Sequence, residues 1–163
     1  LADFPAGQMR FGATAFRIGQ NARGDRALLL AGALNPPGRF PELVELRLHR
    51  ARKAAEIHFL AATAFPGRER AKAGSVALVY DDGSVASLDL LYGVNIFGWT
   101  ENRVGRDARI AWSAVSESGE RRYLWNLAWA NPHPEKKITA LRLSSTRTEA
   151  APVFFAITGI EGE

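Results

Sequence analysis

Ser75-Val76-Ala77-Leu78-Val79-Tyr80-Asp81-Asp82-Gly83-Ser84-Val85-Ala86-Ser87-Leu88-Asp89-Leu90-Leu91 is the stretch on which the fold turns. Two apolar runs, 75–80 and 85–91, flank Asp81-Asp82-Gly83-Ser84. Asp-Gly supplies the positive φ that a tight hairpin turn demands, so the stretch predicts two antiparallel strands. Upstream, Val44, Leu46 and Leu48 alternate with Glu45, Arg47 and His49, the period of a half-buried strand. A turn is expected over 50–53, then a second strand over 55–62. Downstream, strands are expected at 108–115, 122–130, 137–145 and 153–159, with weaker ones at 14–18 and 27–31. Asn131-Pro132-His133-Pro134 ends the strand before it, because two prolines cannot donate to a ladder. Residues 51–59 contain good helix formers and leave room for one helical turn. About ten short strands with turn chemistry between them and no amphipathic helix predict an all-β fold. The expected architecture is a two-sheet antiparallel β-sandwich of jelly-roll type.

The chain has 163 residues, of which 47% are hydrophobic and 23% charged, the mix of one globular domain spanning 1–163. It opens on Leu1 rather than methionine, which suggests a part of a longer protein. Cysteine is absent, which excludes a disulfide framework, a thiolate metal site and a cysteine nucleophile. No apolar stretch is long enough to span a bilayer as a helix, and no membrane partner is expected. The net charge is +4. Its densest basic cluster, Arg47, His49, Arg50, Arg52 and Lys53, has no interleaved aromatic residues. Single-strand binding usually combines both, so a solvated turn is expected and no nucleic acid.

No catalytic residue is expected. There is no Gly-x-Ser-x-Gly elbow, and His49, His58 and His133 show no evident acid and nucleophile pairing in the sequence. Asp89, Glu101, Asp107 and Glu117 offer carboxylates without any spacing that singles out a facing pair. Arg23-Gly24-Asp25 is a tripeptide that recurs by chance, and Gly24 more simply supplies a turn. No cofactor is expected. No metal-binding spacing is present, although jelly rolls often hold a structural calcium on backbone carbonyl oxygens.

Four phrases resemble a β-sandwich accessory module of bacterial multidomain proteins, including carbohydrate-active ones. They are Gly12-Ala13-Thr14-Ala15-Phe16-Arg17-Ile18; Pro41-Glu42-Leu43-Val44 leading to Ile57-His58-Phe59-Leu60; Tyr80-Asp81-Asp82-Gly83-Ser84 with Tyr92-Gly93-Val94-Asn95-Ile96 and Trp99; and Trp129-Ala130-Asn131-Pro132-His133-Pro134 with Lys137-Ile138, Ala150-Ala151-Pro152 and Ala156-Ile157-Thr158. Ala61 stands where that pattern leads one to expect histidine. The module is similar to the galactose-binding-domain-like jelly rolls. The resemblance implies a fold and a setting, an extracellular or cell-envelope protein with other domains as partners. It does not imply a ligand.

The aromatic residues divide into two groups. Tyr123, Trp125, Leu127 and Trp129 form a period-two stripe, and Trp112 alternates with Ile110; both are expected in the core. Trp99 lies instead in the polar connection 93–107, between Gly98 and Gly105. Long connections in compact domains are usually functional or disordered. The expected binding face is therefore this loop, with Trp99 stacking on a sugar ring and Asn95, Asn102 and Arg103 bonding its hydroxyls. The expected function is a non-catalytic carbohydrate-binding or carbohydrate-associated module that takes a polysaccharide or glycan weakly. The alternative is a structural sandwich that braces a parent enzyme or envelope protein.

Overall fold

The computed structural model describes residues 4–20, 25–116 and 118–162. The chain is an antiparallel β-sandwich, and the described residues contain no helix. The strands are β1 Gly7–Phe11, β2 Thr14–Ile18, β3 Leu28–Leu29, β4 Leu43–Arg52, β5 Glu56–Thr63 and β6 Lys72–Tyr80. They continue with β7 Val85–Leu91, β8 Ala108–Val115, β9 Arg121–Ala130, β10 Ile138–Ser145 and β11 Pro152–Ile160. One sheet has the order β4-β10-β6-β7 and the other β3-β11-β5-β9-β8. The chain crosses repeatedly between them, as β4 to β5, β5 to β6, β7 to β8, β9 to β10 and β10 to β11.

The β6–β7 hairpin forms where the sequence places it. Gly83 has φ 83°, and its N–H donates to the Tyr80 carbonyl at 3.0 Å. Asp82 Oδ1 accepts the Ser84 N–H at 2.9 Å, the usual way aspartate stabilises a turn. Most of the stripe on β9 is core as expected: Trp125, Leu127 and Trp129 are buried, while Tyr123 is partly buried. The three buried residues pair with Ala61, Phe59 and Ile57 of β5, which therefore share their face. Because β5 is central in its sheet and packed on both sides, all its residues after Glu56 are buried. Trp112 is partly buried, and its ring meets Phe4 edge-on at 5.2 Å.

Three local expectations need correction. Residues 51–59 form no helical turn, because Glu56–Ala61 pair with β9 and the same strand pairs with β11. Tertiary pairing overrides helix propensity here. The turn expected at 50–53 lies later, since β4 continues to Arg52. The basic cluster is therefore mostly strand, on an edge. The weak strand expected over 27–31 shortens to the two residues of β3.

The hairpin of β1 and β2 packs on the outside of the five-stranded sheet. Thr158 Oγ1 donates to the Ala15 carbonyl at 2.9 Å. His58 of β5 lies within reach of Thr14 Oγ1 at 3.3 Å and Asn126 Oδ1 at 3.0 Å through Nδ1, and of Glu56 Oε2 at 3.1 Å through Nε2. A hydroxyl, an imidazole and a carboxylate in that order resemble a hydrolytic triad, a pairing the sequence did not reveal. Thr14 is only 6% exposed, however, and its oxygen also accepts from Asn126 at 3.2 Å. The group is a polar rivet that fixes the hairpin to the sheet.

Candidate functional site

Two regions are candidates: the loop the sequence singles out, and a cleft it does not reveal.

The loop over 93–107 begins as a tight turn. The N–H groups of Val94 and Asn95 donate to the Leu91 carbonyl at 3.1 Å each. Gly93 takes φ 75°, a left-handed conformation that glycine adopts freely. Ile96 and Phe97 then turn into the core at 2% and 0% exposed. Gly105 passes so close to the Phe97 ring and the Val94 carbonyl that any β-carbon would collide with them. The connection is anchored beneath by two apolar side chains, and its surface is polar apart from Val104, which is 79% exposed.

The four residues expected to bind sugar occupy four different environments. Asn95 is buried, and both ends of its amide are used: Oδ1 accepts the Leu91 N–H at 2.8 Å, and Nδ2 donates to the Asp89 carbonyl at 2.9 Å. It braces the turn. Trp99 is half-buried against the core, with the Arg122 guanidinium 5.9 Å from its ring centre. Its backbone is fixed on both sides, as the Trp99 N–H donates to the Thr63 carbonyl at 3.1 Å and the Tyr123 N–H donates to the Trp99 carbonyl at 2.7 Å. Arg103 donates to Glu69, lies 5.4 Å from the Phe97 ring centre and receives the Trp125 indole N–H on its carbonyl at 3.0 Å. The Glu69 carboxylate is held below its ordinary pKa by Arg103. Asn102 is exposed.

Glu101 completes the brace. One of its oxygens accepts the Tyr92 hydroxyl at 2.6 Å and the Gly98 N–H at 2.8 Å. Burial, then the bond to Glu101, pushes the Tyr92 phenol up to about 12. Of the other carboxylates, Asp89 pairs with Lys72 at 2.6 Å, Asp107 is exposed and Glu117 lies outside the described residues. Arg23 and Gly24 lie outside them too. Among the described residues, no three His, Asp or Glu side chains gather as a metal site of that kind needs.

The second region is a cleft between the sheets along the β4 flank. It has a volume of about 750 Å³, within the usual range for ligand pockets. Its origin is a mismatch at the sandwich edge: β4 has ten residues, while the facing edge strand β3 has two. The inward row of β4 thus extends past its cover. Leu46 is 37% exposed and Leu48 half-buried, although both lie on the row expected to face the core. The floor is apolar and well packed, with Leu141 and Leu143 of β10 opposite Phe154 and Phe155 of β11. At the mouth are Arg52 and Lys53, neither side chain with a hydrogen-bond or ion-pair partner among the described residues, together with Arg26, Asp25 and Glu161. Arg26 donates to the Phe4 carbonyl.

The sequence held one signal for this cleft, the basic cluster after an apolar alternation. It gave no sign that the covering strand would be short. No protein-family model, no curated protein and no solved structure matches this chain.

Proposed function

We propose that this chain is a non-catalytic interaction module, a β-sandwich of the galactose-binding-domain-like kind that braces another domain or chain through its β4 flank. The observation that carries this reading is the open apolar cleft beneath an edge strand. Folded domains seldom leave such a surface uncovered, and where they do it usually meets a partner or a ligand. An accessory role in an extracellular or envelope protein fits the sequence resemblance.

A weak glycan-binding role is the second reading. Asn102 is exposed, the Arg103 side chain is 37% exposed, and Trp99, in the same loop, is half-buried. A single shallow stacking contact would give a Kd on the order of 0.1–1 mM.

Nile red, an apolar dye, separates the two readings. Under the bracing reading the native domain brightens the dye, Leu46→Asp removes the effect, and Trp99→Ala leaves it intact. No brightening by the native domain, with glycan binding by calorimetry that Trp99→Ala abolishes, would favour the glycan reading instead. In either case, a panel of polysaccharides and chromogenic glycosides or esters should yield no product. Turnover that disappears with one Asp, Glu or His substitution would contradict the non-catalytic assignment.

A further inference from the structure

Resting on the bracing reading, we infer that the β4 flank receives an extended segment of alternating apolar and acidic residues, which adds to the sheet as a further strand. Three independent features define the segment. The first is the backbone. Among the described residues, β4 is the edge strand of its sheet and pairs only with β10. The ladder is regular from Leu43↔Ser144 through Arg47↔Ala140. Beyond it, Leu48 to Ala51 lie where β10 has Thr139 alone, so the strand bulges. A bulge ends regular pairing. The edge available to a partner is therefore 43–47, and strand addition at such an edge is a recurrent mode of peptide recognition.

The second feature is the cleft. A strand laid beside β4 places every second side chain on the inward face, because side chains alternate along a strand. That face opens next to Leu46 and Leu48, above Phe154 and Phe155. Apolar side chains on the partner fill the space that the short β3 leaves open.

The third feature is charge. The outward row and the mouth hold six cations, Arg26, Arg47, Arg50, Arg52, Lys53 and Arg142, against three acids, Asp25, Glu45 and Glu161. Glu45 is already shared, accepting from Arg142 at 2.9 Å and from Arg47 at 2.9 Å. Its carboxyl is held below the ordinary range by those two arginines. The surplus is positive, so the partner's outward residues are acidic. The same surplus disfavours a second copy, since two β4 edges brought together would place arginine against arginine, a common guard against edge-to-edge pairing.

The test uses the whole chain and a synthetic seven-residue peptide that alternates glutamate with leucine or valine. Amide NMR and hydrogen exchange report the site. The expected result is saturable binding that slows exchange at alternate amides of 43–47. Methylating the peptide's backbone nitrogens, or the charge reversal Arg47→Glu, weakens it by about tenfold or more. A peptide with lysine in place of glutamate binds at least about tenfold less. No binding, binding indifferent to backbone methylation, equal binding of the lysine peptide, dimerisation through β4, or a cleft that takes laurate but not the peptide would each overturn strand addition. If Nile red still reports the Leu46 surface while the peptide fails, only the strand partner is wrong. If neither binds, the bracing reading falls as well.

Discussion

The 93–107 loop and the β4 flank are both edges of one sandwich, and they are finished in opposite ways. At the loop, Ile96, Phe97 and Trp125 are 2%, 0% and 1% exposed, and Asn95, Glu101 and Arg103 are committed to neighbouring groups of the fold. Along β4, Leu46 remains 37% exposed over a cleft of about 750 Å³. The loop has the residues expected of a binding site, an aromatic ring among amides and an arginine, yet most of those groups already serve the fold. The flank has plain aliphatic side chains, and its character comes from a ten-residue strand facing a two-residue one. Residue type is a poor guide to a site when the bonding partners are unknown. Unsatisfied surface is a better one.

The sharpest way to break this comparison is at the closed end. Trp125→Ala removes a buried indole that touches Phe97 and donates to the Arg103 carbonyl, and should cost about 3–5 kcal/mol in urea unfolding. A variant as stable as the parent would mean the loop is not anchored as described. Next in size is Asn131→Leu. Asn131 is buried, accepts the Tyr80 hydroxyl and the His133 N–H, and donates to the Ala54 carbonyl at 2.7 Å. Leaving those groups unpaired should cost about 1–3 kcal/mol per buried group. A near-neutral result would contradict the network.

An alkaline titration probes the brace under the loop. The Tyr92 phenol lies at about 12 in the folded chain, above the ordinary value of 10.0. The folded state therefore holds its proton more tightly than the unfolded state does. This contribution is fully present below pH 10 and is lost as pH rises toward 12. Tyr80 is also raised, by burial first, so it adds to the same loss. Tyr92→Phe should flatten part of the fall between pH 10 and 12, and an unchanged profile would remove Tyr92 from the account. The smallest expected effect is at the open flank. Leu46→Asp alters an exposed position, so stability should change by about 0.5 kcal/mol or less while Nile red binding is lost. A large destabilisation would mean that Leu46 is core and the flank closed.

Much of the fold was legible because its determinants are local. Asp81-Asp82-Gly83 fixes a hairpin whatever surrounds it, and Trp125, Leu127 and Trp129 show their common face by spacing alone. Other features depend on distant partners. Gly7–Phe11 is not among the strands the sequence predicts, and it forms β1 by pairing with β2. Ile96 and Phe97 look like loop residues, because nothing nearby shows that the chain dips into the core. The alanines and Glu56 at the start of β5 favour helix locally, and two neighbouring strands overrule them. The candidate site divides the same way. The sequence reveals the basic cluster but assigns it to a turn rather than to β4, and the exposure of Leu46 depends on the length of β3, a strand remote from it in sequence.

Backbone hydrogen exchange across these two regions tests the central claim most directly. In a closed loop and an open flank, the Trp99 and Tyr123 amides, donating to the Thr63 and Trp99 carbonyls, exchange slowly. Alternate amides of 43–47, those directed away from β10, exchange at close to the rate of an unprotected chain, about a hundredfold or more faster. Uniform protection along 43–47 with rapid exchange at Trp99 and Tyr123 would place the open surface at the loop and contradict the account.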